Sequence, residues 1–165
     1  MDECGFSTNL YRLYGWSPSG QRCVESVPFA RGENRSVLGA FGPYGMTAVY
    51  QKLGSIKRDD FETFLSEHLL PRLAVGSVLV LDNARIHHGG KLADLVEAAG
   101  CTLLYLPPYS PDFSPIELAW SWLKGWVRKR RPRTDQERQD CITQAVEEMP
   151  TQHARPWFRK CGYTQ

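Results

Sequence analysis

The segment Leu106-Pro107-Pro108-Tyr109-Ser110-Pro111-Asp112-Phe113-Ser114-Pro115-Ile116-Glu117 limits what this chain can fold into more than any other stretch. Prolines at 107, 108, 111 and 115 fix φ and remove backbone donors, so the block is extended and turn-rich. Pro115 suits a first helical turn, where its missing N–H costs nothing, and Ser114 then falls at the N-cap. Glu117 therefore enters as a helix opens. Upstream, Val78-Leu79-Val80-Leu81 is a short apolar run that reads as a buried strand ending at Asp82. One carboxylate ends a core strand and another opens a helix. A third acidic position, Asp2, stands at the start of the sequence. Three carboxylates from distant segments can share a pair of hard cations and support phosphoryl transfer.

These residues resemble the catalytic domain of the mariner-like DDE transposases, in particular the bacterial insertion-sequence branch. The matching pieces are Asp2-Glu3 with Gly5-Phe6, Trp16-Ser17-Pro18-Ser19-Gly20, Val80-Leu81-Asp82-Asn83-Ala84 with His87, and Leu106 to Glu117 followed by Trp120 and Lys124. They extend from Asp2 to about Arg130, and the proline-rich block is the most specific of them. The resemblance implies an α/β, ribonuclease-H-like fold: a mixed five-stranded sheet flanked by helices. It implies Asp2, Asp82 and Glu117 as catalytic and metal-binding residues, two Mg²⁺ (or Mn²⁺) ions, and DNA cleavage and strand transfer. The implied partners are double-stranded DNA at transposon ends and target, and a second copy in an active homodimer. Asn83 and His87 would support the metal site. In that family the first aspartate lies inside a central strand that starts several residues earlier, preceded by helical DNA-binding domains. Only Met1 precedes Asp2 here, so the expectation is a first strand truncated at its N-terminus. The chain would be the second product of a split reading frame, completed by an upstream-encoded DNA-binding domain, or a truncated copy.

Each residue also has a plainer reading. Asp82 can start a turn, Glu117 can sit in a first helical turn to meet the dipole, and Asp2 can be a frayed terminus. Asn83 can make an Asx turn and His87 can be a surface imidazole. His88 has no distinguishing context. Asp112 is expected to brace the proline-rich turn through its own backbone. Lys124, Arg128, Lys129, Arg130, Arg131 and Arg133 occupy six of ten consecutive positions and could track a DNA backbone. The alternative is a solvated, dipole-matched helix end. Trp120, Leu123 and Val127 share a helical face with Ile116 and read as core. Trp122 and Trp126 fall on another face, with packing as the default over a dimer or DNA contact.

Along the chain, Cys23 to Phe29, Ser36 to Phe41 and Met46 to Lys52 read as three strands of an antiparallel meander. Arg58 to Leu73 carries a helical stripe of Phe61, Phe64, Leu65, Leu69 and Leu73. Then Ser77 to Leu81 is a strand, Gly90 to Ala99 a helix closed by Gly100, and Cys101 to Leu106 another strand. Helices are predicted over Pro115 to Arg130 and Thr134 to Met149, with a short element from Gln152 to Lys160. That order suits a mixed sheet covered on both faces. One domain spans 1–165, with a core to about 131 and C-terminal helices over about 134–160.

Bulk properties exclude more than they identify. Twenty Lys and Arg against 18 Asp and Glu leave a net charge of +2, too small to name a nucleic-acid partner. The five cysteines show no zinc spacing and read as packing residues in a reducing, cytoplasmic setting. No apolar run is long enough to span a membrane. No phosphate-cradling Gly-rich Lys-Ser/Thr loop and no Gly-x-Ser-x-Gly elbow occur, which argues against nucleotide hydrolysis and serine chemistry. The rival readings are a catalytically silent remnant acting as a binding or assembly module, and a ribonuclease-H-fold nuclease unrelated to transposition. The proline-rich block argues against the second.

Overall fold

The computed structural model describes residues 1–7, 9–12, 14–26 and 32–163. Among them the chain forms β1 (Asp2–Phe6), β2 (Arg35–Gly42), β3 (Gly45–Leu53), α1 (Arg58–Thr63), β4 (Val78–Leu81), α2 (Leu92–Ala98), β5 (Thr102–Tyr105), α3 (Pro115–Arg130), α4 (Asp135–Glu147) and α5 (Ala154–Lys160). β1, β2 and β3 pair antiparallel, with Asp2 opposite Gly39 and Phe6 opposite Arg35. β4 and β5 pair parallel, from Val78 opposite Thr102 to Leu81 opposite Tyr105.

The strands are packed from both sides. Cys4 and Phe6 of β1 and Val37 of β2 join Ile116, Trp120 and Leu123 of α3 and Ile142 and Ala145 of α4 in one apolar cluster. Leu38 and Ala40 of β2 face the other way, joining Phe61, Phe64, Leu65 and Leu69 with Leu79 and Leu81 of β4 and Val96 of α2. β2 is therefore apolar on both faces, the pattern of an inner strand. The expectation of strands covered on both sides by helices holds.

Three expectations need correction. The five strands do not form one continuous ladder; they divide into the three-stranded and two-stranded sheets. Between them a single hydrogen bond runs from the Met1 amino nitrogen to the Val80 carbonyl, 2.8 Å. β4 ends at Leu81, level with the start of β1, so the two strands overlap too little to pair further. Next, Cys23 to Ser26 form no strand, and 27–29 lie outside the described residues. The place beside β2 is taken by β1, and Val24 is 80% exposed rather than packed. The helix over 58–73 is not uniform either: α1 passes into a π-helical stretch, Phe64–Leu69, and a 3-10 turn, Leu70–Arg72. Pro71 has no N–H to return to the carbonyl four residues back, so the α ladder cannot continue through it. The buried stripe survives nonetheless. Ser114 does occupy the N-cap of α3, as expected, although its side chain makes no capping hydrogen bond.

Two local devices close the fold. Gly100, at φ +69°, ends α2 in a left-handed conformation that suits glycine. At α4, Thr134 Oγ1 accepts the Glu137 N–H at 3.1 Å and Glu137 Oε2 accepts the Thr134 N–H at 3.3 Å. The same helix is pinned to β2 by Asp135, which accepts from Arg35 Nε at 3.0 Å and from Arg138 Nη2 at 2.7 Å. Arg35 and Arg138 are buried. Their guanidiniums hold the Asp135 carboxyl down to about 2, the Arg35 hydrogen bond being the larger cause. A depressed carboxylate pKa gives stability that is complete above the unfolded value near 3.8 and is lost as pH falls towards 2. Asp135 is about a third exposed, so solvent screening reduces the effect to about 1 kcal/mol. Denaturant melts of Asp135→Asn and the parent between pH 6 and 2 should therefore converge by about that amount at the acid end.

Among the described residues no helix is long and apolar enough to cross a membrane. All five cysteines are free thiols, with Cys4, Cys101 and Cys161 buried.

Candidate active site

Strand alternation on β1 puts Asp2, Cys4 and Phe6 on the face that meets α3. β4 delivers Asp82 just past its last paired residue, Leu81. The proline-rich segment turns the chain back through a short 3-10 turn, Pro111–Phe113, so that α3 opens at Pro115 with Glu117 in its first turn. Asp2, Asp82 and Glu117 consequently line one cleft of about 520 Å³, together with Asn83, His88 and Tyr109. Burial raises the Asp2 carboxyl above its ordinary value, and the charge of Asp82 pushes the same way. Burial also raises Glu117, followed by the charges of Asp2 and Asp82, while Lys124 opposes them. The groups feel one another across a shared, partly desolvated space.

Two neighbours fix the carboxylates. Trp120 Nε1–H donates to Asp2 Oδ2 at 2.9 Å, from a ring that is 2% exposed. Trp120 fits because β2 carries Gly39 opposite Asp2; a Cβ there would meet Trp120 Cη2 at 2.5 Å. Asp82 Oδ1 accepts the Ala84 N–H at 3.2 Å and pairs with His87 Nδ1 at 2.5 Å. His87 is buried against Phe61, with ring centroids 4.8 Å apart, so the surface-imidazole reading fails. The Asx turn belongs to Asp82, not to Asn83. Asn83 Oδ1 instead accepts from His88 Nε2, whose ring stacks on Tyr105 at 4.5 Å. The Tyr105 hydroxyl donates to the His87 carbonyl at 2.6 Å. His88, which carried no sequence signal, lines the cleft, whereas His87 stands behind it and orients Asp82. The indole bond to Asp2 was equally invisible in sequence, where Trp120 read only as core. Asp112 lies in the 3-10 turn of the proline-rich block and does not itself line the cleft, although its neighbour Pro111 does.

The basic run is only partly free. Arg130 lies over the Trp126 ring, 3.0 Å from its centroid, and approaches Glu148 at 3.5 Å. Arg131 pairs with Glu25 at 2.8 Å, and Arg133 Nη2 donates to the Ser26 carbonyl at 3.3 Å. Lys124 points back towards Cys4 and Glu117. Lys129 is exposed, and Arg128 is half-buried with no hydrogen-bond partner at Nε. Trp126 is buried, donating to Glu148 at 3.1 Å, and Trp122 packs against the same apolar cluster. Packing is the outcome for both.

A sequence model described as DDE superfamily endonuclease matches residues 1–140. The chain belongs to this family. Its fold is similar to solved structures of Mos1 transposase: the paired-end complex with left transposon end (16% identity, TM-score 0.75) and the strand transfer complex (15% identity, TM-score 0.72). A third, the Mos1 mariner paired-end complex with Mn, is 15% identical with a TM-score of 0.66. These matches cover 97%, 96% and 97% of this chain but only 49%, 49% and 50% of the others, so the chain spans about half their length. No curated protein sequence matches it.

Among the described residues, no three His, Cys, Asp or Glu side chains converge closely enough to enclose a single metal ion. The donor set nonetheless fits hard divalent cations held more openly. Mg²⁺ keeps several waters and takes one or two carboxylates rather than an all-protein cage. Burial is the first cause of the raised carboxyls of Asp2 and Glu117, and repulsion from the neighbouring carboxylates adds to it, a repulsion that a bound cation would relieve.

Proposed function

We propose that this chain is the catalytic domain of a DNA transposase of the mariner-like group, bacterial insertion-sequence branch. It cleaves double-stranded DNA at transposon ends and joins it to a target, working as a homodimer. The observation that carries the reading is the convergence of Asp2, Asp82 and Glu117, from three separate elements, on one cleft in a DDE-family chain. Asp2, Asp82 and Glu117 would together hold two Mg²⁺ or Mn²⁺ ions. When bound, such a pair lowers the pKa of the attacking water or 3′-hydroxyl and stabilises the leaving alkoxide.

The chain's own groups do the positioning. His87 holds the Asp82 carboxylate from behind, and the Trp120 indole holds that of Asp2. Asn83, fixed by His88, stands at the rim of the cleft. Lys124, Arg128, Lys129, Arg130, Arg131 and Arg133 run away from Glu117 along α3 and beyond it, where they follow the phosphate backbone without reading sequence. The test is nicking of supercoiled plasmid by the purified chain in Mg²⁺ or Mn²⁺, against EDTA. Metal-dependent nicking supports the reading. Tight DNA binding without any cleavage would make this chain a catalytically silent binding or assembly module.

The basic run makes its own prediction. Neutralising Arg128 and Lys129, two cations of the run that form no ion pair among the described residues, should flatten the salt dependence of duplex binding by about two units of log K against log salt. An unchanged slope returns them to the role of a solvated helix end.

A further inference from the structure

Tyr109 stands in a backbone conformation that its side chain disfavours, and packing gives nothing back for it. Its φ is +56°, in the left-handed region, and with Pro108 it forms the middle of a turn. A turn position of that kind is ordinarily filled by glycine or asparagine, because a Cβ there crowds the neighbouring carbonyl. Tyr109 nonetheless carries a full phenol. The residue is 103% exposed, so its ring rests on nothing. Among the described residues its hydroxyl has no hydrogen-bond partner either.

Fixed flanks hold the turn in place. The Leu106 N–H donates to the Leu81 carbonyl at 2.8 Å and ties the start of the segment to the end of β4. Ser110 Oγ donates across the turn to the Pro108 carbonyl at 3.2 Å, and the Tyr163 hydroxyl donates to the Phe113 carbonyl at 2.8 Å. Pro107, Pro108 and Pro111 remove φ freedom on both sides. The backbone thus presents one aromatic ring to water from a stiff support. Strain of this kind persists where the surroundings over-determine it, and it clusters at ligand sites.

The ring stands at the cleft that Asp2, Asp82 and Glu117 line. Its neighbours there, Pro108, Ser110, Asn83 and His88, form no apolar patch of the kind a protein partner would cover. A single flat ring suits a single flat ligand. The nucleotides on either side of a phosphate bound in the cleft are the ones that pass this rim.

We propose that Tyr109 is a stacking platform for an unpaired nucleobase flanking the phosphate held in the cleft. This rests on the DNA-cleaving reading of the cleft and adds a preference to it, for DNA that is unpaired beside the bond to be cut. Stacking uses the ring face and accepts any base, so the platform selects strand state and not sequence. A ring packed against the protein could not serve, which gives the exposed, strained placement its use.

The unmodified 165-residue chain is assayed in EDTA, so that neither metal nor cleavage enters. The probes are a short fluorescein-labelled duplex and the same duplex with a run of unpaired thymines at its centre, and fluorescence anisotropy gives both affinities. The parent should bind the interrupted duplex at least about fivefold more tightly, the smallest effect expected of one stacked base. A 2-aminopurine placed in the unpaired run should lose fluorescence as it stacks. Tyr109→Phe should keep the preference and the quenching, and Tyr109→Asn should lose both. Asparagine tolerates the left-handed backbone, so the melting temperature of Tyr109→Asn should rise by about 1–3 °C. Equal affinity of the parent for the two probes, or a preference retained by Tyr109→Asn, overturns the platform. Loss of preference with a lowered melting temperature makes Tyr109 a structural residue and overturns it as well. A preference in a chain that fails to nick plasmid in Mg²⁺ supports the platform and removes only the cleavage reading. Failure to bind either probe overturns both.

Discussion

Asp82→Asn should abolish metal-dependent nicking, by about 10³-fold or more, which corresponds to about 4 kcal/mol of lost transition-state stabilisation. Asparagine keeps the side chain's shape and the oxygen that accepts the Ala84 N–H, so the turn after β4 should persist. What disappears is the charge that would hold both ions and the carboxylate that meets His87 Nδ1. Melting curves in millimolar Mg²⁺ provide a second readout. A ligand that binds only the folded state raises stability by RT ln(1 + [L]/Kd), so the parent should melt higher with Mg²⁺ and the variant should not. Full nicking by Asp82→Asn would remove Asp82 from the site and with it the two-ion scheme.

Trp120 should show the largest effect on stability. Its ring is buried between β2 and α3 and touches the cleft through one atom. Trp120→Ala should cost about 3–5 kcal/mol, the usual result of emptying a large aromatic site. Trp120→Phe separates packing from hydrogen bonding. It fills most of the space but leaves Asp2 Oδ2 without its donor, at a cost of about 1–3 kcal/mol. It should also weaken the Mg²⁺-induced thermal shift, because Asp2 would no longer be held. Urea melts with and without Mg²⁺ measure both. If Trp120→Phe matches the parent in stability and in Mg²⁺ response, the indole bond contributes nothing and Trp120 is core alone.

Much of this architecture was legible because local chemistry and global fold agree. Pro115 at a helix start, the apolar run Val78 to Leu81, Gly100 after a helix and the stripe from Phe61 to Leu69 each carry a backbone or periodicity signal strong enough to survive packing. The failures have a common cause. Cys23 to Phe29 looks like a strand by residue type, but which strand lies beside β2 is decided by long-range pairing, and β1 wins that place. His87 and His88 are adjacent in sequence and opposite in role, because the turn after Asp82 buries one ring and presents the other. No single-sequence signal distinguishes them. The basic run was legible as charge but not as geometry: Glu25 and Glu148, which engage Arg131 and Arg130, lie far away in the sequence.

The cleft has no home element. Its carboxylates are carried by β1, by the end of β4 and by the start of α3, and these belong to two sheets and a covering helix packed in two separate apolar clusters. Local opening of any one of the three therefore dismantles the cleft even while the other two stay packed, and a fragment lacking one of them cannot retain it. In a heated sample, loss of the cleft should coincide with or precede the main unfolding transition and never follow it, so an intact site reports a folded chain.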